Sequence, residues 1–341
     1  MPCFHGSFMA KLEWGTLVRS VILAAAVVML AAGSAMAGPN CPTDSLAPLE
    51  TPQVQLQVRP RAPGAAASYG GMQYRRTPGL GPKDIALTID DGPNPQVTPV
   101  VLQVLAKHCL KVTYFLVGWY AHAYPDLVRQ EAAAGHFIGA HTYTHPDNLR
   151  RLTPQQAETE ITQGFEAAQA ALASGTPEEK AQLVPFFRFP GLNDTTELSR
   201  WLAARRVAVV GADFGANDWM NISPEGIQRR ARIEAVQAHG GILILHDSHM
   251  HTAEALDGLI NSFEQQGYRF VQLVPAPDAM AGRAPGSILQ VIQPVRHPPA
   301  TLLDNTLALL RDWGAHIAAF ARWLGGAIGH LVGSGMARLG H

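Results

Sequence analysis

Short apolar runs recur through the middle of the chain, each closed by a polar residue or a turn and each followed by a stretch with helical spacing. The runs predict strands at 84–89, 112–117, 136–140, 185–189, 207–212, 241–245 and 268–273. The intervening pattern predicts helices at 96–108, 124–134, 154–173, 195–206, 224–238 and 252–266. Strands that alternate with helices imply a parallel sheet with right-handed crossovers, either open or closed into a barrel. Polar residues decide between the two. Asp90, His141, Arg188, Asp213 and His246 each end or follow a different run. In a (β/α) barrel those strand ends meet on one face, whereas an open sheet spreads them along an edge. The expected fold is therefore a distorted barrel of about seven parallel strands over residues 83–275.

The flanks follow other rules. Lys11 and Arg19 precede an almost wholly apolar stretch from Val21 to Ala32, and Ser34-Ala35-Met36-Ala37 follows. That order is a signal peptide with cleavage after Ala37, and the apolar stretch is short for a membrane span. The protein is expected to be exported, periplasmic or secreted. Residues 38–82 are rich in Pro, Ala and Gly and read as a linker or extended arm. Residues 276–300 are Pro-rich. From Thr301 to Leu331 apolar residues return at helical spacing, interrupted by Asp304, Arg311, Asp312, Arg322 and His330. That amphipathic C-terminal helix suits a membrane surface, the barrel or a second copy of the chain.

Composition adds exclusions. With 26 basic and 27 acidic residues and a net charge of −1, nothing attracts nucleic acid. No Gly-rich phosphate loop follows a strand, so no nucleotide is expected. Fourteen histidines are many and hint at metal. Of the three cysteines, cleavage leaves Cys41 and Cys109, which could form one disulfide; the favoured expectation is a buried Cys109 on a helix and a free Cys41 in the arm.

The chemistry gathers on a few residues. Asp90 and Asp91 end the first strand, where two carboxylates need a metal or a proton to justify their position. His141 and His145 stand at a spacing that suits a divalent ion, although Pro146 places His145 in a loop rather than a helix. Three protein ligands leave room for water, whose proton such an ion loosens. Either aspartate could ligate, leaving the other as base. His246 ends the strand at 241–245 and suits a general acid, oriented by Asp213 or Asp218. Arg188, in an apolar run, needs a carboxylate, with Asp90 or Asp218 the natural partner. A backbone N–H beyond Pro190 could stabilise an oxyanion. His249 and His251 are expected to be loop residues facing solvent.

Taken in order, these segments resemble the five motifs of polysaccharide deacetylases, the NodB-homology family of carbohydrate esterases. Thr88 to Pro93 is similar to the first and His141 to His145 to the second. Arg188-Phe189-Pro190, Asp218-Trp219 and Ile244-Leu245-His246 are similar to the third, fourth and fifth. The resemblance implies a metal-dependent hydrolase that removes acetyl groups from a glycan, N-acetyl favoured and O-acetyl allowed. It makes Asp90 the base, His246 the acid, and Asp91, His141 and His145 the ligands of Zn²⁺, with Co²⁺ or Ni²⁺ as substitutes. It gives the Gly191 N–H to the oxyanion and Trp219 and Ile244 to the acetyl pocket. Gly191 departs from the family, which usually has an aromatic groove wall there, so the wall must come from Leu192 or elsewhere. A non-catalytic glycan-binding protein on the same fold is the alternative, and it predicts loss of Asp90, Asp91 or His246, all of which are present.

Overall fold

The computed structural model describes residues 51–58 and 67–280. The leader, Cys41, residues 38–50 and 59–66 of the arm and the expected C-terminal helix lie outside the described residues, and among those described no helix is long and apolar enough to cross a membrane.

Eleven strands are formed: β1 (Gln53–Leu56), β2 (Ser68–Tyr69), β3 (Asp84–Asp90), β4 (Thr113–Leu116), β5 (Phe137–Ala140), β6 (Leu183–Phe187), β7 (Ala208–Val210), β8 (Phe214–Gly215), β9 (Gly241–His246), β10 (Arg269–Phe270) and β11 (Gln272–Pro275). The main sheet runs in the order β2-β7-β6-β5-β4-β3-β9-β8, every pair parallel, with β10 beside the start of β3. Val210, in β7 towards one end of that order, is only four residues before Phe214 in β8, at the other end. Four residues span little more than about 13 Å, so the sheet curls until its edges face each other. Asp213 ties the seam: its Oδ1 accepts from Gly71 N at 2.6 Å and its Oδ2 from Ile242 N at 2.7 Å.

The two-residue period of a strand sorts the core into layers. Ile85, Leu87 and Ile89 of β3 face the outer helices with Tyr114, Leu116, Ile138 and Leu243. Ala86 points into the barrel with Phe115, Val184, Phe186, Val210 and Ile242. Asp90 continues the inward set of β3, on the same face as Ala86 and Thr88. Strands buried on both faces explain why the sequence shows continuous apolar runs rather than alternation.

Two expectations change. The described part of the arm is built into the fold: Leu56 and Val58 are fully buried in the inner core, β1 pairs with β11, and β2 pairs with β7. The alternation Gln53-Val54-Gln55-Leu56 carries that strand, although Pro and Gly nearby mask it. The run at 268–273 also splits at Val271, β10 pairing with β3 and β11 with β1. Cys109 is corrected too. It is half-buried in the turn after helix Thr98–Lys107, with φ of 54°, and is disulfide-bonded. Helix limits otherwise follow local chemistry, as at Thr153, whose hydroxyl and Gln156 form a capping box at the start of helix Pro154–Ala171.

Candidate active site

The end of β3 places the two aspartates differently. Asp90 keeps extended geometry and is 1% exposed. Asp91 turns into left-handed space at φ 72°, which swings its carboxylate over the same bowl. His141 Nε2 then lies 3.7 Å from Asp90 Oδ2 and 3.5 Å from Asp91 Oδ1, and His145 Nε2 lies 3.3 Å from Asp91 Oδ1. One ligand atom each from Asp91, His141 and His145 falls within 4.8 Å of the others.

Their states suit a cation. Asp91 Oδ1 is buried with no hydrogen-bond partner, an expensive condition without a positive charge beside it. Burial, helped by the charge of His145, pushes His141 well below its ordinary pKa, so its imidazole is neutral. His141 Nδ1 donates to the Arg188 carbonyl at 2.8 Å, which leaves the Nε2 lone pair facing the bowl. The three residues fit a divalent metal with an open position.

The histidine loop is not helical, in keeping with Pro146. Thr142 and His145 have φ of 66° and 54°. Glu160, on helix Pro154–Ala171, holds the loop by accepting from Tyr143 N, Thr144 N and Thr144 Oγ1 at 3.1, 2.8 and 2.8 Å. Gly164 lets the same helix approach: a Cβ there would lie 2.7 Å from the Thr142 carbonyl. On the other side Gly118 N donates to Thr142 O at 2.9 Å, and Val117 N to Gly92 O at 3.1 Å.

Arg188 is fully buried and makes the expected pair with Asp90 rather than Asp218. Its Nη1 donates to Asp90 Oδ1 at 2.6 Å and Thr88 Oγ1 at 2.8 Å, and Nε and Nη2 reach the carbonyls of Val210 and Gly211. The guanidinium also lies 4.2 Å from the Phe115 ring centre. Burial pushes Asp90 up to about 6, although the positive charges of Arg188 and His246 pull the other way.

Of the two acids that could orient His246, Asp218 does so. Its Oδ1 accepts from His246 Nδ1 at 3.0 Å, and its Oδ2 from His246 N at 2.7 Å and Thr252 Oγ1 at 2.9 Å. Burial pulls His246 down, but the hydrogen bond and charge of Asp218, aided by Asp91 and Asp90, outweigh it and hold His246 up at about 9. Asp213 lines the cleft but serves the barrel seam. His251 is not simply solvent-facing: its Nε2 lies 2.6 Å from the Asp218 carbonyl, and its ring stacks on His249 at 5.1 Å.

A cleft of about 560 Å³ opens over this bowl. Trp219, Ile244, Gly191 and Leu192 line it, and Pro190, next to Gly191, is buried. Gly191 and Leu192 both have positive φ, 57° and 56°. Non-glycine residues in left-handed space concentrate around this site, at Asp91, Thr142, His145, Leu192 and Asn217, where the surrounding hydrogen bonds hold the strain. Sequence reasoning missed Glu160, Asp247 and Met72. Asp247 follows His246 as Asp91 follows Asp90, a parallel that could have flagged it. It is fully buried, donates its N–H to the Asp90 carbonyl at 3.2 Å and accepts from Thr98 Oγ1 at 2.5 Å. No local signal marks Glu160 or Met72.

The chain is similar to known polysaccharide deacetylases. A family model described as polysaccharide deacetylase matches residues 78–206. A peptidoglycan-N-acetylglucosamine deacetylase of Bacillus cereus is 30% identical over 194 residues, 56% of this chain and 66% of that protein. A chitooligosaccharide deacetylase of Bradyrhizobium is 30% identical over 202 residues, 55% of this chain and 88% of that protein. Among solved structures, the Bc1960 peptidoglycan N-acetylglucosamine deacetylase matches with a TM-score of 0.53 at 26% identity, covering 61% of this chain and 91% of that one.

Proposed function

Because the chain belongs to the polysaccharide deacetylase family, we propose that it is a metal-dependent hydrolase that removes acetyl groups from an acetylated glycan, N-acetyl amino sugars favoured. The observation that carries this reading is the convergence of Asp90, Asp91, His141, His145, Asp218 and His246, from four separate segments, onto one bowl, with Arg188 paired to Asp90 behind it.

Asp91, His141 and His145 would hold the ion, with Zn²⁺ the proposed metal. When bound, it supplies Lewis acidity to water and to the acetyl carbonyl. The remaining steps belong to the chain. Asp90 takes a proton from the attacking water. Its elevated pKa makes it a competent base near neutral pH, and Arg188 holds it in place. Trp219, Ile244 and Leu192 exclude water around the acetyl methyl, and the Gly191 N–H meets the oxygen that gains charge. His246, charged near neutral pH, gives its Nε2 proton to the leaving amine as the C–N bond breaks. Asp218 fixes the tautomer by accepting from Nδ1. The products are acetate and a free amino sugar.

Export through residues 1–37 belongs to the same reading. The disulfide at Cys109 supports it, because such bonds persist in oxidising compartments. A chemical test uses purified protein and N-acetylglucosamine oligomers, peptidoglycan and acetylated xylan. Acetate release from at least one, abolished by chelator and restored by Zn²⁺ or Co²⁺, is expected. Binding of these glycans without release would favour a non-catalytic protein instead.

A further inference from the structure

Gly191 offers no side chain to the cleft, and a residue outside the family match lies in that cleft. Met72 lines the same cleft as Asp90, Asp91, His141 and His246 and is 58% exposed. A single exposed methionine needs no explanation by itself. The turn that carries this one is tied down at several points. Met72 N donates to Ala212 O at 2.9 Å and Gly71 N to Asp213 Oδ1 at 2.6 Å. The Gln73 side-chain amide donates to the carbonyl of Leu192, the other cleft residue beside Gly191. Tyr74 N closes the turn on Gly70 O at 2.8 Å. Gly70 makes the approach possible: its φ is 104°, and a Cβ there would lie 2.5 Å from Ala212 N. The turn is thus attached to the barrel seam and to the Gly191-Leu192 turn, and while Tyr74 packs against the core, Met72 lines the cleft.

Resting on the deacetylase reading, we infer that Met72 is a specificity-determining wall of the glycan groove, packing on the apolar C–H face of a pyranose ring beside the one being deacetylated. With Leu192 and the 61%-exposed Trp219, it makes the rim apolar where a sugar chain must pass. A thioether side chain is unbranched and adaptable, so it covers a ring face without demanding one stacking geometry. The wall selects for oligomers over monomers, because only a chain reaches both the bowl and the rim.

The test compares wild type, Met72→Ala, Met72→Leu and Gly70→Ala on the tetramer and the monomer of N-acetylglucosamine, with Val236→Ala as an exposed control on helix Pro224–Ala238. Met72→Ala is expected to raise KM for the tetramer on the order of tenfold with a smaller change in kcat, the signature of lost ground-state and transition-state binding alike. Its effect on the monomer is smaller. Met72→Leu recovers most of the affinity, and Gly70→Ala reproduces the loss by displacing the turn. Equal KM in wild type and Met72→Ala on the tetramer overturns the wall. If the wild type releases no acetate, the deacetylase reading fails, and the wall is judged by tetramer binding followed by tryptophan fluorescence. Weaker binding by Met72→Ala then upholds it, and equal binding or none in either protein overturns it.

Discussion

Asp90 and Asp91 are adjacent, yet their surroundings differ, and the proposed mechanism gives them separate work. Asp90 is bound to a buried guanidinium, whereas Asp91 offers an orphaned oxygen to two imidazoles. Asp91→Ala should therefore lose metal, read as ion content after gel filtration. Asp90→Asn should retain the ion and lose activity by roughly 10²- to 10⁴-fold, the usual contribution of a general base. Far-ultraviolet circular dichroism checks that the Asn variant folds, since Arg188 loses its counter-charge. The acid–base pair also sets a pH profile. The base works when ionised, so activity should fall as pH drops through the Asp90 pKa, at about 6 or lower once a cation is beside it. The acid works when protonated, so activity should fall as pH rises through about 9. Asp218→Asn removes the charge that holds His246 up, and the alkaline limb of kcat/KM should move to lower pH. An unmoved limb would mean that another group supplies the proton. The positions of these residues were legible because ionisable side chains stand out at the ends of apolar runs. What sets the two aspartates apart was not legible from spacing, since it lies in a single backbone torsion at Asp91.

Helices and loops position these groups, and here the sequence was less explicit. The expected strands lie within a residue or two of those formed, because continuous apolar runs mark parallel strands covered on both faces. By contrast β1, β2 and β8 are short or sit among Pro and Gly, and their strand character comes from partners far along the chain. The grip of helix Pro154–Ala171 on the histidine loop was equally hidden. Glu160 and Gly164 look like ordinary helix residues until Thr142 to Thr144 lie against them. That grip gives a prediction with an unusual sign. Gly→Ala in a helix usually stabilises by about 1 kcal/mol. Gly164→Ala should instead lower the melting temperature and weaken metal affinity, because the new methyl meets the Thr142 carbonyl. Glu160→Gln should weaken metal affinity on the order of tenfold while leaving the melting temperature nearly unchanged, as for other residues that orient ligands. Chelator competition measures both affinities.

At the scale of the whole molecule, the barrel works because its seam is closed by a side chain. Asp213 bridges Gly71 and Ile242, so it joins the arm, the β7–β8 turn and β9. Asp213→Ala should cost about 2–4 kcal/mol, judged from the charge-assisted hydrogen bonds it removes. It should also loosen the Met72 turn, measured as a fall in urea midpoint alongside a rise in KM. The same seam explains why the arm was misread. Its apolar residues are few, and they are buried only because the barrel leaves room for them at its base and rim. The central claim concerns what the bowl does, and one assay addresses it most directly: acetate release from N-acetylglucosamine tetramer by metal-stripped protein, titrated with Zn²⁺, for wild type and Asp90→Asn in parallel. The account predicts that wild type gains activity as the ion is added, while Asp90→Asn takes up the ion equally and stays inactive. Release by Asp90→Asn at the wild-type rate, or by wild type with no ion present, would contradict it.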